Sequence, residues 1–185
     1  NGRLDGLTLV LDCANGSAAT VAPAVFRALG ARVLAFSDAP DGCNINDGCG
    51  STHPARLCDL VREHGADAGF AFDGDADRVI AADEAGNIVD GDRIMGALAL
   101  DLQRRGCLKQ NTLVLTVMSN LGLKRRMEAA GIRVLETAVG DRYVFEAMQQ
   151  NDLSLGGEQS GHIILMDCNT TGDGVLTAVK LLNVL

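Results

Sequence analysis

Three carboxylates stand at alternate positions, Asp73, Asp75 and Asp77, directly after the apolar run Phe70, Ala71, Phe72. A loop that curls around a centre brings them together. Charges held ~4 Å apart repel by roughly 4 kcal/mol per pair at an effective dielectric of about 20. A divalent cation relieves that repulsion, and an all-oxygen ligand set favours magnesium, calcium or manganese over zinc. Gly74 gives the turn its backbone freedom. Arg78 follows at once and sets a permanent, fork-shaped cation beside the carboxylates, suited to gripping a phosphate.

Other readings compete with this one. The simplest is a solvated acidic turn. A calcium loop of the EF-hand type would use Asp73, Asp75, Asp77 and Glu84 at its first, third, fifth and twelfth positions. That loop needs Gly at the sixth position, where Arg78 stands, and a helix before it rather than a strand. A dehalogenase-like phosphatase also opens on Asp-x-Asp after an apolar strand, with the first Asp as nucleophile. There the strand opens the domain, whereas here a whole strand–helix–strand–helix unit precedes it.

The elements that position this loop are read from periodicity and turn residues. Strands are predicted at 8–11, 32–36, 67–72, 79–82 and 88–89. A helix ending at Gly30 turns Val21, Val25, Ala28 and Leu29 inward. A second, with Thr52 as cap and Pro54 in its first turn, turns Leu57, Leu60, Val61 and His64 to one face and ends at Gly65. The loop from 38 to 51 between them is longer than usual, as functional loops often are. Asp90-Gly91-Asp92 caps a helix with Ile94, Met95, Leu98 and Leu102 on its inner face, and near residue 92 a second domain takes over.

The second half repeats the first: Thr112-Leu-Val-Leu matches Thr8-Leu-Val-Leu, and Gly131-Ile-Arg-Val-Leu matches Gly30-Ala-Arg-Val-Leu. A helix capped by Ser119 or Asn120 carries Leu123, Met127 and Ala130. Another, from 141 to 149, carries Val144, Ala147 and Met148. A strand at 153–155, a Gly-rich loop at 156–161, a strand at 163–166 and a helix from Gly172 with Val175, Val179 and Leu182 on one face complete the pattern. The repeat of about 100 residues is too long for a solenoid and points to duplication. The expected fold is α/β: two tandem domains, 1–91 and 92–185, each a mixed, mostly parallel sheet flanked by helices. The Gly157-Glu-Gln-Ser-Gly-His162 loop then takes the place in the second repeat that the acidic loop takes in the first. Both lie past the carboxyl end of a third strand, where crevices form in α/β sheets.

Composition narrows the partners. The chain has 185 residues, 47% hydrophobic and only 3% aromatic, so the core is built from aliphatic side chains. A net charge of −8 argues against nucleic acid or an anionic membrane as partner, and makes an anionic substrate dependent on local Arg or metal. No apolar run approaches the roughly 20 residues of a membrane span, and no signal peptide opens the chain. Six cysteines without a Cys-x-x-Cys pair fit reduced thiols in a cytoplasmic protein. A start at Asn1 and a stop within an apolar helical pattern suggest a piece of a longer protein.

The two loops together resemble the α-D-phosphohexomutase superfamily, and within it the bacterial members that act on glucosamine phosphates. The motifs are Asp73-Gly-Asp-Ala-Asp-Arg78, Gly157-Glu-Gln-Ser-Gly-His162, the segment Asn44-Ile-Asn-Asp-Gly-Cys-Gly-Ser-Thr-His-Pro54, and Val139-Gly-Asp-Arg-Tyr143. Ala76 stands where the family often has Gly. The resemblance covers essentially the whole chain and implies the second and third of four domains. The first, with its phosphorylated serine, and the fourth, with its phosphate-gripping loop, lie outside it. It further implies Mg2+ on Asp73, Asp75 and Asp77, and Arg78 beside the transferring phosphoryl group. Glu158 and Ser160 would bind sugar hydroxyls, His162 would lie against the substrate as a binding or proton-transfer group, and Arg142 would enter the cleft. The implied reaction interconverts the 6- and 1-phosphates of glucosamine, a step towards UDP-N-acetylglucosamine and cell wall precursors. Action on mannose or glucose phosphates is the alternative within the superfamily. A non-catalytic calcium-binding module is the alternative outside it. The expected partners are the phosphorylated hexosamine and the first and fourth domains of the same chain; a homodimer is left open.

Overall fold

The computed structural model describes residues 3–184. Five strands, β1 (Thr8–Asp12), β2 (Arg32–Phe36), β3 (Ala68–Phe72), β4 (Val79–Ala82) and β5 (Ile88–Val89), form a sheet in the order β2-β1-β3-β4-β5. Its β1 runs parallel to β2 and β3, whereas β4 is antiparallel to both its neighbours. Four more, β6 (Thr112–Thr116), β7 (Arg133–Thr137), β8 (Leu155–Gly157) and β9 (Ile163–Leu165), form a second sheet in the order β7-β6-β8-β9. It repeats the same pairing: β6 parallel to β7 and β8, β8 antiparallel to β9. The duplication is thus topological as well as sequential, and β3–β4 and β8–β9 are equivalent hairpins.

Alternation along each central strand sorts the core. Leu9 and Leu11 point into a core that also takes Leu113 and Leu115, so it runs through both repeats. Val10 points the other way, onto α2 (Pro54–His64) through Leu57 and Val61. Val114 does the same onto α5 (Asp141–Gln150) through Val144 and Met148. Between the sheets lie α1 (Ala18–Ala28), α3 (Gly91–Arg104), α4 (Leu121–Ala129) and α6 (Gly174–Leu182). The last of these packs on β3 and β4 as well as on β9, so it crosses the division drawn at residue 91.

Several expectations shift. In α1 the buried face is Ala18, Ala22 and Phe26, not Val21, Val25 and Leu29; Val21 is 53% exposed. The two alanines let the helix approach the sheet closely, and the Phe26 ring stacks on Phe70 with centroids 5.9 Å apart. In α6 the buried residues are Thr177, Ala178, Leu181 and Leu182, while Val175 and Val179 are only partly covered. The two displaced stripes face one another across a groove of about 720 Å3. The cap of α2 is His53 rather than Thr52, β8 lies two residues later than expected, and α6 begins at Gly174 because the Asp173 side chain accepts the Leu176 N–H at 2.9 Å.

Candidate functional site

The acidic loop is the six-residue connection between β3 and β4, closed by the pair Phe72 and Val79. Its first turn is held by the Ala76 N–H on the Asp73 carbonyl at 3.1 Å, with Ala76 at φ 60°. That positive φ is the strain Gly would relieve, and Ala bears it here. The loop rests on its neighbours through backbone contacts that leave no room for side chains. The Ser17 N–H reaches the Gly74 carbonyl at 2.9 Å, and a Cβ on Gly74 would meet Ile45 at 2.6 Å. Ile45 belongs to the long loop 38–51, which is itself tied back by Ser51 N–H on the Phe72 carbonyl at 2.8 Å. Asp12 anchors both ends of this support: fully buried, its carboxylate accepts the Ala14 and Gly50 N–H groups at 3.1 and 2.9 Å.

Within the loop, Asp73 and Asp77 come together and Asp75 stays exposed near the tip. Burial, and then Asp77 beside it, push the Asp73 carboxyl above the usual carboxylate range. The Arg78 Nε sits 3.9 Å from both Asp73 and Asp77, and the Arg78 N–H reaches Asp73 Oδ1 at 3.2 Å. Among the described residues no group of three His, Cys, Asp or Glu closes on one point as a metal site does. The donor chemistry nevertheless fits a hard cation: two crowded carboxylates that hold each other's charge in check, a third within the same loop, and only oxygen ligands.

The second loop, 158–162, is the β8–β9 hairpin and is braced directly against the first. The Val79 N–H donates to the Gly161 carbonyl at 3.2 Å, and Arg78 and His162 form a bridge between the repeats. Gly161 has φ 95°, and a Cβ there would run into the Val79 carbonyl. Behind both loops passes 170–174, with Gly174 N–H on the Ala76 carbonyl at 2.9 Å and no room for a Cβ on Gly172 or Gly174. Gly161→Ala is therefore expected to cost about 3 kcal/mol or more, from positive φ plus collision. Gly48→Ala is the control: its φ is 61° but nothing lies within 4 Å. It should cost only about 1 kcal/mol. Urea denaturation of the two variants measures both, and equal costs would contradict the bracing.

Glu158 is held by the Gly140 N–H on Oε1 at 2.9 Å, which fixes its carboxylate and leaves Oε2 for a ligand. Arg78, Glu158, Gln159 and Ser160, together with Thr116, Met118 and Val139, line one cavity of about 330 Å3. Arg78 of the first repeat thus meets Glu158 and Ser160 of the second. Thr116 and Met118 are additions that the motifs did not mark, and Val139 opens the Val139–Tyr143 motif without having been assigned a role.

Two expected members do not join them. Arg142 lies outside the cavity, 80% exposed along α5, with its Nε on Glu146 Oε1 at 2.7 Å; the i,i+4 spacing gives it a partner on its own helix. His162 is buried, 2% exposed, with Nδ1 3.1 Å from Asp77 Oδ2 and Nε2 accepting the Gly172 N–H at 3.1 Å. An Nε2 that accepts leaves the proton on Nδ1, so the ring donates to Asp77. Both nitrogens are engaged with protein. Through them His162 joins the acidic loop, the second loop and segment 170–174.

Comparisons with known proteins agree on one family. Profiles described as phosphoglucomutase/phosphomannomutase, alpha/beta/alpha domain II and domain III, match residues 2–86 and 90–185. A phosphoglucosamine mutase of Leifsonia xyli subsp. xyli is 61% identical over 181 residues, 98% of this chain and 40% of that protein. The chain therefore spans about 40% of the length of such relatives. A phosphoglucomutase/phosphomannomutase family protein from Burkholderia thailandensis superposes with TM-score 0.85 at 29% identity, over 96% of this chain and 39% of that one. An Aspergillus fumigatus N-acetylphosphoglucosamine mutase, solved with GlcNAc-6P and magnesium, shares the fold with TM-score 0.64 at 21% identity, over 97% of this chain and 42% of that one.

Proposed function

The chain belongs to the phosphoglucomutase/phosphomannomutase family, as its domains II and III, and from that premise we propose that it is the metal- and sugar-holding centre of a phosphoglucosamine mutase. The full protein would interconvert glucosamine 6-phosphate and glucosamine 1-phosphate, in the cytoplasm, with the phosphoryl group carried by a serine in a domain outside this chain. The carrying observation is the shared cavity, where Arg78 meets Glu158 and Ser160. It supports a division of labour between two braced hairpins, one for the phosphoryl group and one for the sugar. Residues 1–91 and 92–185 remain the proposed domains.

Asp73, Asp75 and Asp77 would hold Mg2+, which when bound neutralises charge on the phosphoryl group in transfer. The chain's own residues do the rest. Arg78, 44% exposed at the cavity edge, offers the only fixed cation among its lining residues and offsets the overall charge of −8 for an anionic ligand. Glu158, pinned by Gly140, accepts from a ring hydroxyl, and the Ser160 hydroxyl donates or accepts beside it. His162 positions Asp77 from behind. The calcium-module alternative loses ground because strands, not helices, flank the acidic loop. Mannose or glucose phosphate as substrate remains the competing choice of sugar.

Phosphorus NMR on the full-length protein with glucosamine 6-phosphate and Mg2+ tests the reading. The 1-phosphate signal should grow; conversion of mannose or glucose phosphate alone would favour the alternative, and no conversion of any would overturn the mutase. The 185-residue chain by itself should convert nothing, since the donor serine lies outside it. Measurable turnover by the isolated chain would contradict that assignment.

A further inference from the structure

Eight large apolar side chains are exposed among the described residues, and five of them, Val117, Met118, Leu121, Val139 and Tyr143, lie just past β6 and β7 or in the first turns of α4 and α5. Of the other three, Ile45 and Ile88 stand apart, and Val21 lines the groove between α1 and α6. Apolar surface gathered at the rim of a crevice calls for a ligand, where scattered residues do not. Met118 is 67% and Val139 54% exposed, and these two alone of the five line the cavity that also holds Glu158 and Ser160. Neither is held out by mispacking. Each follows a strand end, Val117 N–H donating to the Thr137 carbonyl at 3.0 Å, and Val139 precedes the Gly140 whose N–H fixes Glu158.

We propose that Met118 and Val139 form an apolar wall against which a C–H face of the hexose ring packs, making them substrate-positioning residues. This inference rests on the sugar-phosphate reading of the cavity and deepens it. A pyranose carries its hydroxyls around an edge and exposes C–H groups on its faces. Glu158 and Ser160 address the edge, and a cavity built only of hydrogen-bonding groups would leave the faces in water. Burying them against a thioether and an isopropyl group gains affinity in proportion to the apolar area removed. The unbranched, polarizable Met side chain can follow a ring that must bind in two orientations, presenting first one phosphate position and then the other.

The test uses the full-length protein. Met118→Gln keeps the length of the side chain and removes its apolar character, at a position too exposed to threaten folding. KM should rise on the order of fivefold for both glucosamine 6-phosphate and glucosamine 1-phosphate. The kcat should stay within about twofold, and Met118→Leu should restore KM. In protein carrying 13C-methyl methionine, saturating hexosamine phosphate should shift the Met118 methyl resonance, assigned by its loss in Met118→Gln. Unchanged KM together with an unmoved methyl signal, under conditions where the sugar phosphate is bound, would overturn the wall while leaving the mutase reading intact. Were the wild-type protein to turn over no hexosamine phosphate, the functional reading would fall first. The same methyl titration with whichever hexose phosphate binds would then decide the wall alone.

Discussion

Asp75→Asn in the full-length protein is expected to cut Mg2+-dependent turnover by about a thousandfold or more and to leave the fold unchanged. The side chain is exposed near the tip of the β3–β4 loop, so its amide disturbs no packing. Its charge is another matter. Asp73 and Asp77 already crowd one another, with the Asp73 carboxyl held above its usual range by burial and by its neighbour. A cation entering this loop draws on the third carboxylate for binding without further crowding of the partly buried pair. Stabilisation of a transferring phosphoryl group by a metal amounts to several kcal/mol, and each ~1.4 kcal/mol is tenfold in rate. Circular dichroism and urea denaturation should match wild type. Near-normal turnover with unchanged Mg2+ dependence would remove the acidic loop from the site.

Much of this site is legible in the sequence because its signals are local. Alternating Asp after an apolar strand end and a Gly-rich turn at the same place in the second repeat need no knowledge of packing, and the structure turns both into equivalent hairpins. What escapes the sequence depends on neighbours. The stripe Val21, Val25, Leu29 is as apolar as a core face, yet the small Ala18 and Ala22 and the Phe26–Phe70 stack win the sheet. The same competition misplaced the face of α6, whose Val175 and Val179 look across the groove at α1. His162 reads in the sequence as a group against the substrate, and its hydrogen bonds with Asp77 and Gly172 could not be read there. Arg142 reads in the sequence as a cleft cation; its pairing with Glu146 one helical turn on could not be read without the helix register. Met118 carries no motif and Val139 only opens one; the fold alone brings them beside Glu158.

The second large effect concerns the sugar. Glu158→Ala in the full-length protein should lower kcat/KM roughly ten- to a hundredfold, since a hydrogen bond to a charged group contributes about 1.5–3 kcal/mol. Because Oε1 is already committed to Gly140, one carboxylate oxygen carries this contribution. Glu158 stands on the hairpin without the Asp cluster, so the change should leave metal binding alone. The division of labour between the hairpins is the central claim, and one measurement addresses it directly: kcat/KM for glucosamine 6-phosphate and half-saturation by Mg2+, taken together on wild type and Glu158→Ala. In Glu158→Ala, kcat/KM should drop with Mg2+ half-saturation unchanged within about twofold. Weakened Mg2+ binding with substrate affinity preserved would contradict that division.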